Sequence, residues 1–317
     1  MQAQVNIIII CYNAVNYTKT TIESLLKTTD IPFCMTIIDN GSSDSTWDYL
    51  NSIKSDGFLQ KIYLIKNQEN MGVGFAYNQG LQVSLDNNYE FSCFCNNDLY
   101  FSQNWLTKML NCIKQNPNVV ALNPLRTAVR TKYDSKISTM DKLRSLEETE
   151  DWRKELEMFS EMPVEQFDVF AQKIVQQNSS ELEIIKFPDS LSTCICLCRT
   201  KIYKELGYFA DPSFPKYGGE DIDMCWTVMS KGYDCAICHD TYVHHFRGKS
   251  IKSMNRQQLL KISNQILYKK WQKEILSFCR SNPDILNTLY TTNATKYWLL
   301  RELDSDIGFS KGVQNAR

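Results

Sequence analysis

The stretch Cys34-Met-Thr-Ile-Ile-Asp-Asn-Gly-Ser-Ser-Asp44 decides the fold class, because it combines a strand, a turn and the start of a helix. Cys34 to Ile38 is a short apolar run with β-branched residues, which predicts a buried strand. Aspartate, asparagine and glycine at positions 39–41 favour a tight turn. Ser43 or Asp44 is then expected to cap a helix, since either side chain can accept a hydrogen bond from a first helical N–H group.

The same alternation of strand and helix continues on both sides of this stretch. Apolar runs predict strands at 7–11, 62–66 and 91–95, and helical spacing predicts helices at 18–27, 74–85 and around 105–113, the last capped by Ser102. This rhythm predicts an α/β fold with a mostly parallel sheet and helices on both faces. Ligands of such sheets bind beyond the carboxyl ends of the strands, where Asp39 and Asp98 fall.

The second part of the chain begins with a change in composition. Residues 126–186 are highly charged and are predicted to form a helical insertion, with helices at 140–158 and 163–177, because long structureless loops are rare in compact domains. The strand pattern resumes near residue 184. Residues 251–317 are predicted to be mostly helical. The chain therefore reads as one α/β domain with a helical insertion and a helical C-terminal region.

Composition excludes several classes of protein. The chain has 317 residues, of which 43% are hydrophobic and 22% are charged, and a formal net charge of -1. This balance gives no basic field for nucleic acid, so no nucleic-acid partner is expected. No apolar stretch is long enough for a transmembrane segment, and the N-terminus lacks the basic region of a signal peptide. The 12 cysteines are expected to be reduced thiols of a cytoplasmic protein.

Four polar motifs are candidates for chemistry, and each is ambiguous alone. Glu220 and Asp221 follow two glycines and begin a predicted helix, where acidic residues are also common for purely electrostatic reasons. That same helix dipole is expected to keep Asp221 ionised near neutral pH. Asn96-Asn-Asp98 ends a strand, a Gly-x-Gly begins at Gly72, and His244 and His245 precede Gly248-Lys-Ser250. The Gly-x-Gly is a weak dinucleotide fingerprint, because the third glycine is absent.

One further motif suggests a different cofactor. Cys235-Ala-Ile-Cys-His239 matches the haem c attachment pattern, and with His244 and His245 it also resembles a zinc site. The cysteines lie in a short apolar stretch that predicts a buried strand, and no export signal precedes it. We therefore expect neither haem nor zinc here.

The order of the motifs is more informative than any one of them. The turn at Asp39, the stretch Asn70-Met-Gly-Val-Gly-Phe-Ala-Tyr-Asn78, Asn96-Asn-Asp98, the Glu220-Asp221 pair and His245-x-x-Gly-x-Ser250 resemble the family 2 glycosyltransferases. The resemblance covers about residues 5–125 and 185–275. It implies a GT-A fold with a catalytic domain over 1–250, followed by a C-terminal helical region over 251–317. Within the catalytic domain it implies a nucleotide-sugar-binding half (1–125), the helical insertion (126–186) and an acceptor-binding half (187–250).

The resemblance also implies a role for each motif. The nucleotide-sugar donor would contact Asp39 through its base, and Asn13, Gly72, Asn78, Asn96, Asn97 and Asp98 elsewhere. Asp98 and His245 would bind a Mn²⁺ or Mg²⁺ ion, with His244 as second choice for the histidine; oxygen ligands suit these cations. Asp221 would be the general base, and Gly219 and Glu220 would contact the acceptor.

The expected activity is that of an inverting, metal-dependent hexosyltransferase. A UDP-sugar is the favoured donor and dTDP-rhamnose the next. The acceptor would be a surface glycan, or a protein such as flagellin docked on the insertion. The expected location is the cytoplasm, with peripheral attachment to the inner membrane face as an option, and the oligomeric state is left open. Two alternatives remain at this point: a sugar nucleotidyltransferase and a non-catalytic nucleotide-sugar-binding protein.

Overall fold

The computed structural model describes residues 2–126, 152–178, 182–246, 255–288 and 297–310. The strands are β1 (Val5–Cys11), β2 (Phe33–Asp39), β3 (Leu59–Lys66), β4 (Phe91–Asn96), β5 (Leu99–Phe101), β6 (Val119–Arg126), β7 (Glu183–Ile185), β8 (Ile195–Arg199) and β9 (Asp234–His245). The helices are α1 (Val15–Thr28), α2 (Thr46–Ser52), α3 (Val73–Asp86), α4 (Trp105–Gln115), α5 (Trp152–Glu161), α6 (Val164–Gln176), α7 (Thr200–Leu206), α8 (Glu220–Ser230), α9 (Arg256–Ser281), α10 (Pro283–Thr288) and α11 (Trp298–Ile307).

These strands form a single mixed sheet. Its order is β3-β2-β1-β4-β8-β6-β9-β5, and β7 pairs with β9. From the pairings, β1, β2, β3, β4, β6 and β9 run in one direction, and β5, β7 and β8 run in the other. The prediction of a mostly parallel sheet is therefore confirmed. The chain order reverses between β1 and β4, which is the point where ligands of open α/β sheets bind.

Helices cover both faces of the sheet. Apolar side chains of α1 and α4 pack on one face, with Leu25, Trp105 and Met109 fully buried. On the other face α3, α7, α8 and α9 contribute a second buried cluster that includes Tyr77 and Trp226. Because β1 and β4 are covered on both sides, they are buried along nearly their whole length and mostly apolar, and this is why their runs were readable in the sequence.

The insertion contributes part of the core. Helices α5 and α6 confirm the predicted helical character, although the N-terminal part of the helix predicted at 140–158 lies outside the described residues. Phe159 and Phe167 pack against Tyr100 of β5, with ring centroids 5.5 and 4.7 Å away. Phe167 also lies 6.1 Å from the ring of Tyr242 of β9. One face of the insertion is thus buried beside the end of β9.

The main local differences concern helix caps and short strands. Ser102 does not cap α4: its hydroxyl contacts Thr241 at 3.0 Å, and Asn104, in the left-handed conformation, precedes the helix. Helix α2 begins at Thr46, and Asp44 Oδ1 accepts a hydrogen bond from its backbone N–H (3.0 Å). Strand β5 spans only three residues, too short for a periodic signal, and was not predicted, whereas the equally short β7 lies where the strand pattern was expected to resume.

The cysteines occupy the core as free thiols. None of the 12 cysteines forms a disulfide, and all of them except Cys112 are buried. Cys235 packs with the cluster around α8, whereas Cys238 packs on the opposite face of β9. His239 Nε2 lies 3.2 Å from Glu183 Oε2. This arrangement cannot attach one haem to both cysteines. Among the helices that the structure describes, none has both the length and the apolar character needed to cross a membrane.

Candidate active site

Asp39 ends β2 with its side chain fully buried. Its Oδ1 accepts a hydrogen bond from the Ser42 backbone N–H (3.0 Å), while Oδ2 is buried and accepts none within the described part of the chain. A buried carboxylate oxygen without a donor is costly, so its presence points to a ligand that supplies an N–H or O–H group.

The ends of β1, β2 and β4 are level in the sheet. Cys11 is in register with Asp39, and Ile10 is in register with Asn96. Asn13 follows β1 with a positive φ of 54°. Its Oδ1 accepts a hydrogen bond from the Ser43 N–H at 2.8 Å. Asn97 Nδ2 donates to the Asn13 carbonyl (3.2 Å), and so the three strand ends are held together by amide groups.

The glycine at position 72 is required by a close backbone approach. Its φ is +93°, and a Cβ there would lie 2.7 Å from Lys216 Cα. Asn40 holds this loop, because its Nδ2 donates to the Gly72 carbonyl (3.2 Å) and its Oδ1 accepts from the Met71 N–H (3.1 Å). In the sequence, Asn40 is indistinguishable from an ordinary turn residue. Its buried position links the Asp39 turn to the Gly-x-Gly loop.

The side-chain amide of Asn78 forms hydrogen bonds with the backbone of another segment of this chain. Its Oδ1 accepts hydrogen bonds from the N–H groups of Phe209 (2.9 Å) and Ala210 (3.1 Å), and its Nδ2 donates to the Ala210 carbonyl (2.7 Å). Only one N–H of the amide is left for any ligand. Asn78 thus fixes the loop after α7, which is a different use from the nucleotide contact expected of it.

Asp98 and His245 are brought together by the pairing of β5 with β9. Leu99 is in register with His245, and the Phe246 N–H donates to the Asp98 carbonyl at 2.9 Å. Their side chains meet with Asp98 Oδ1 3.1 Å from His245 Nε2. Burial lowers the pKa of His245, but Asp98 and the Cys194 thiol outweigh burial and raise it to about 10.

These two side chains fit a divalent cation. Asp98 Oδ1 is buried and accepts no well-aligned hydrogen bond among the described residues, although His245 Nε2 lies beside it. A carboxylate oxygen suits Mn²⁺, and the imidazole nitrogen 3.1 Å away is a second ligand that can reach the same ion. The described residues contain no group of three or more ligating side chains, so further ligands would be phosphate oxygens and water.

His244 faces the opposite side of β9. Its ring stacks on Phe159 with centroids 4.3 Å apart, and its Nδ1 lies 3.1 Å from the Tyr242 hydroxyl. It is fully buried in the aromatic cluster of the insertion. Of the two adjacent histidines, His245 is therefore the one that lies beside Asp98.

Glu220 and Asp221 begin α8 after two glycines in the left-handed region. Gly218 has φ +89° and Gly219 has φ +86°, and a Cβ on Gly219 would lie 2.6 Å from the Phe214 ring. Burial raises the pKa of Asp221, against the opposing effects of the Ile222 N–H and Arg126. Burial therefore acts on the pKa of Asp221 in the direction opposite to the helix dipole, and the expectation that this carboxyl is ionised near neutral pH stays a prediction.

Glu220 is also buried, and its Oε2 accepts no hydrogen bond in the described part of the chain. Burial and the adjacent Asp221 raise the pKa of Glu220 to about 8. This shift favours the protonated form of the side chain, which can donate a hydrogen bond.

Contacts across the sheet join the two halves of the site. A Cβ on Gly74 would lie 3.0 Å from Ala210 Cβ and 4.0 Å from Glu220 Cβ, so the Gly-x-Gly loop contacts the start of α8. The Asn96 N–H donates to the Cys194 carbonyl (2.8 Å). Arg126, at the end of β6, acts electrostatically on both Asp221 and Cys194. Sequence reasoning missed Arg126; its signal was a basic residue directly after a buried apolar run.

The chain belongs to glycosyl transferase family 2, whose family model matches residues 6–181. It is therefore a glycosyltransferase, and the matched region contains Asp39 and Asp98. Among curated proteins it is similar to the Escherichia coli UDP-Glc:alpha-D-GlcNAc-diphosphoundecaprenol beta-1,3-glucosyltransferase WfaP, with 28% identity over 262 residues. The match covers 82% of this chain and 84% of that protein.

Solved structures confirm the GT-A fold. GalNAc-T7 with UDP, GalNAc and Mn²⁺ matches with a TM-score of 0.58 at 11% identity, over 98% of this chain and 56% of that chain. Staphylococcus aureus TarS 1-349 with UDP-GlcNAc matches with a TM-score of 0.53 at 16% identity, over 99% of this chain and 81% of the TarS chain. A mannosyltransferase from Pyrobaculum calidifontis with GDP-Man and Mn²⁺ matches with a TM-score of 0.52 at 14% identity. That match covers 87% of this chain and 65% of the mannosyltransferase chain. This chain thus spans little more than half of the GalNAc-T7 chain.

The raised pKa of Glu220 leads to a prediction about stability. Because the folded-state pKa lies above the ordinary glutamate value of about 4.3, the carboxyl favours folding while protonated and loses this contribution as pH rises through about 8. Glu220→Gln should therefore become increasingly stabilising, relative to wild type, between about pH 5 and about pH 9. The measurement is the difference in melting temperature between Glu220→Gln and wild type at several pH values across this range. The exposed Glu205→Gln is the control, and a difference for Glu220→Gln that does not change with pH would contradict the assignment.

Proposed function

We propose that this protein transfers a hexose from a UDP-sugar, with inversion, to a hydroxyl of a glycan carried on a lipid diphosphate. The observation that carries the proposal is the buried, unbonded carboxylate oxygen of Asp39 together with the Asp98–His245 pair, at and just beyond the level ends of β2 and β4. Asp39 and Asp98 lie at level strand ends, and Asp221 begins the helix that contacts the Gly-x-Gly loop. This arrangement supports a nucleotide-sugar site at the strand ends that carry Asp39 and Asp98, with Asp221 as the base at the start of α8.

In this proposal Asp39 Oδ2 accepts the N3–H of uracil. The buried oxygen accepts no hydrogen bond from the described residues, and its neighbour Oδ1 is fixed by Ser42, so the carboxylate cannot rotate without losing that bond. Thymine has the same N–H, which keeps a dTDP-sugar as the second donor class. Asn13, Asn97 and Gly72 line the nucleotide, and residues 1–125 form the donor half.

Asp221 takes the proton of the acceptor hydroxyl. The freed oxygen attacks the anomeric carbon, the bond from that carbon to the diphosphate oxygen breaks, and the nucleoside diphosphate leaves with the electron pair. A single displacement of this kind inverts the anomeric configuration. The raised pKa of Asp221 makes it a stronger base than an exposed aspartate, while leaving it able to give up the proton afterwards.

Asp98 and His245 would hold a divalent cation, Mn²⁺ or Mg²⁺. When bound, the cation supplies positive charge to the departing diphosphate. The buried oxygen of Asp98 and the adjacent imidazole are the groups of this chain that fit it. Arg126 adds a second positive charge on the same side of the site, where it also favours the ionised form of Asp221.

The acceptor is proposed from the relative and from the acceptor half, residues 187–250. WfaP is described as acting on alpha-D-GlcNAc-diphosphoundecaprenol, and the match extends over most of both chains. Gly219 and the protonated Glu220 lie next to Asp221 and can contact the acceptor sugar. A lipid-linked acceptor would bring the enzyme to a membrane surface. The family match supports this activity over a nucleotidyltransferase, and the raised pKa of Asp221, which suits a base, favours it over a non-catalytic binding protein.

A base-selectivity experiment tests the donor assignment. UDP should raise the melting temperature more than GDP or ADP, with dTDP closest to UDP, because ligands that bind the folded state stabilise it. Asp39→Asn should weaken UDP binding by roughly 10–100-fold, since its new N–H₂ group opposes the uracil N–H. Titration of the melting shift, or calorimetry, measures this. The exposed Asp48→Asn is the matched control. Equal responses to all nucleotides, or an Asp39→Asn variant that binds UDP normally, would refute the donor site.

A further inference from the structure

We propose that Lys270 and Trp271 of the C-terminal helix α9 are positioning residues that hold Asp221 in place for proton transfer. They act through Asp223, the residue two positions further along the base helix α8. The inference rests on the proposed function, because Asp221 is the base of that reaction. It gives the region outside the catalytic domain a defined part in the activity.

Asp223 is the point of attachment. Its carboxylate is fully buried, and both of its oxygens are occupied by α9: Trp271 Nε1 donates to Oδ1 (2.7 Å), and Lys270 Nζ donates to Oδ2 (2.8 Å). Residues two apart on a helix point to nearly opposite sides. The side of α8 that carries Asp223 is thus bound to α9, while Asp221 lies on the other side of the helix.

A break in α9 lets consecutive residues serve one carboxylate. Trp271 has φ −112° and ψ 16°, which is non-helical and interrupts the helix there. In a regular helix adjacent side chains diverge by about 100°. The break turns the buried Trp271 ring against Trp226 of α8, with centroids 5.8 Å apart, so the indole is held by packing as well as by its hydrogen bond.

Lys270 also binds the loop that leads into α8. Its Nζ lies 2.6 Å from Asp211 Oδ2, while Asp211 Oδ1 accepts the Ser213 N–H (2.9 Å). One ammonium group therefore bridges the loop before the helix and the first turn of the helix itself. Two carboxylates converge on it, and they raise the pKa of Lys270 despite partial burial, which keeps the charge in place.

The N-terminal half of α9 supports the same segment independently. Ser263 Oγ donates to the Tyr217 carbonyl (3.1 Å), immediately before the two glycines. A Cβ on Gly218 would lie 2.7 Å from Leu260 Cδ2, so α9 is in direct contact with this backbone. Between residues 260 and 271, helix α9 thus contacts the segment from 217 to 223 at both ends.

The test compares Lys270→Met with Lys270→Arg, and uses Lys269→Met as the matched control because Lys269 is the adjacent, exposed lysine of the same helix. The assay uses UDP-glucose and a synthetic α-GlcNAc-diphospho-lipid. Lys270→Met should lower kcat by about 10–100-fold with donor KM unchanged, because small displacements of a catalytic group have effects of this size. Lys270→Arg should recover most of the rate, and Lys269→Met should match wild type.

Hydrogen exchange provides a readout that does not depend on turnover. In Lys270→Met the amides of residues 217–223 should exchange faster, including Asp223 N–H, which is bonded to the Gly219 carbonyl (2.9 Å). Trp271→Phe removes one donor and keeps an aromatic ring, so it should give a smaller effect of the same kind. It is the variant to use if Lys270→Met does not fold.

Three results would overturn the inference: an unchanged kcat, an equal loss of kcat in Lys269→Met, or unchanged exchange at 217–223. Failure of the proposed function looks different. In that case wild type shows no transfer and Asp221→Asn changes nothing, while the exchange experiment still decides whether α9 immobilises the start of α8.

Discussion

Replacing Asp221 with asparagine should lower the rate of sugar transfer by about 10²–10⁴-fold and leave donor binding unchanged. Asparagine has the same shape and can still accept the Ile222 N–H that Asp221 Oδ1 accepts (2.9 Å), but it cannot take a proton. The loss should appear in kcat, since the donor contacts are made by other residues. Initial rates of UDP release in the presence of acceptor, together with UDP affinity from calorimetry, measure both parts.

The matched control is Asp240→Asn, which makes the same chemical change at an exposed position of β9. It should transfer at the wild-type rate. The assignment of the base would be wrong if Asp221→Asn kept more than a tenth of the rate, or if its main defect were in UDP binding. The pH profile gives a second check: because burial raises the pKa of Asp221, the acidic limb should lie above the ordinary aspartate value of about 4.

Replacing His245 with alanine should remove the response to Mn²⁺. In wild type, Mn²⁺ together with UDP should raise the melting temperature more than UDP alone, and EDTA should abolish that increment. His245→Ala should lose the increment and lower transfer by about 100-fold or more, because charge neutralisation at the diphosphate is worth several kcal/mol. The physical reason is the pairing of β5 with β9, which places His245 Nε2 3.1 Å from Asp98 Oδ1.

The adjacent histidine is the discriminating control. His244→Ala removes a ring that stacks on Phe159, so it should lower the melting temperature in every condition. It should nevertheless keep the additional stabilisation by Mn²⁺. The opposite pattern, with the metal response lost in His244→Ala and kept in His245→Ala, would show that the wrong histidine had been assigned.

The first half of the fold was predictable mainly because β1, β2 and β4 are buried on both faces. Continuous apolar runs such as Ile7 to Cys11 predict buried strands, and β1, β2 and β4 lie where the runs predicted. Their carboxyl ends carry the polar residues, so the location of Asp39 and Asp98 followed from the sheet geometry. The insertion was predictable only as helical, since its packing depends on aromatic residues of distant strands.

The remaining site residues depend on contacts that local patterns do not encode. Asn40 resembles any turn asparagine until its bonds to the Gly72 loop are seen. Arg126 ends β6, a strand whose place between β8 and β9 comes from tertiary pairing. The environment of Asp221 was not readable for a similar reason: burial comes from tertiary packing and raises its pKa, while the expected ionisation of this carboxyl near neutral pH stays a prediction.

The stereochemistry of the product tests the central claim most directly. Wild-type protein is incubated with Mn²⁺, UDP-glucose, in which the sugar is α-linked, and the α-GlcNAc-diphospho-lipid acceptor, and the new linkage is read from its anomeric proton coupling by NMR. A single displacement assisted by Asp221 predicts a β-linked product and release of UDP in equal amount. An α-linked product, or a covalent sugar–protein intermediate, would contradict the account.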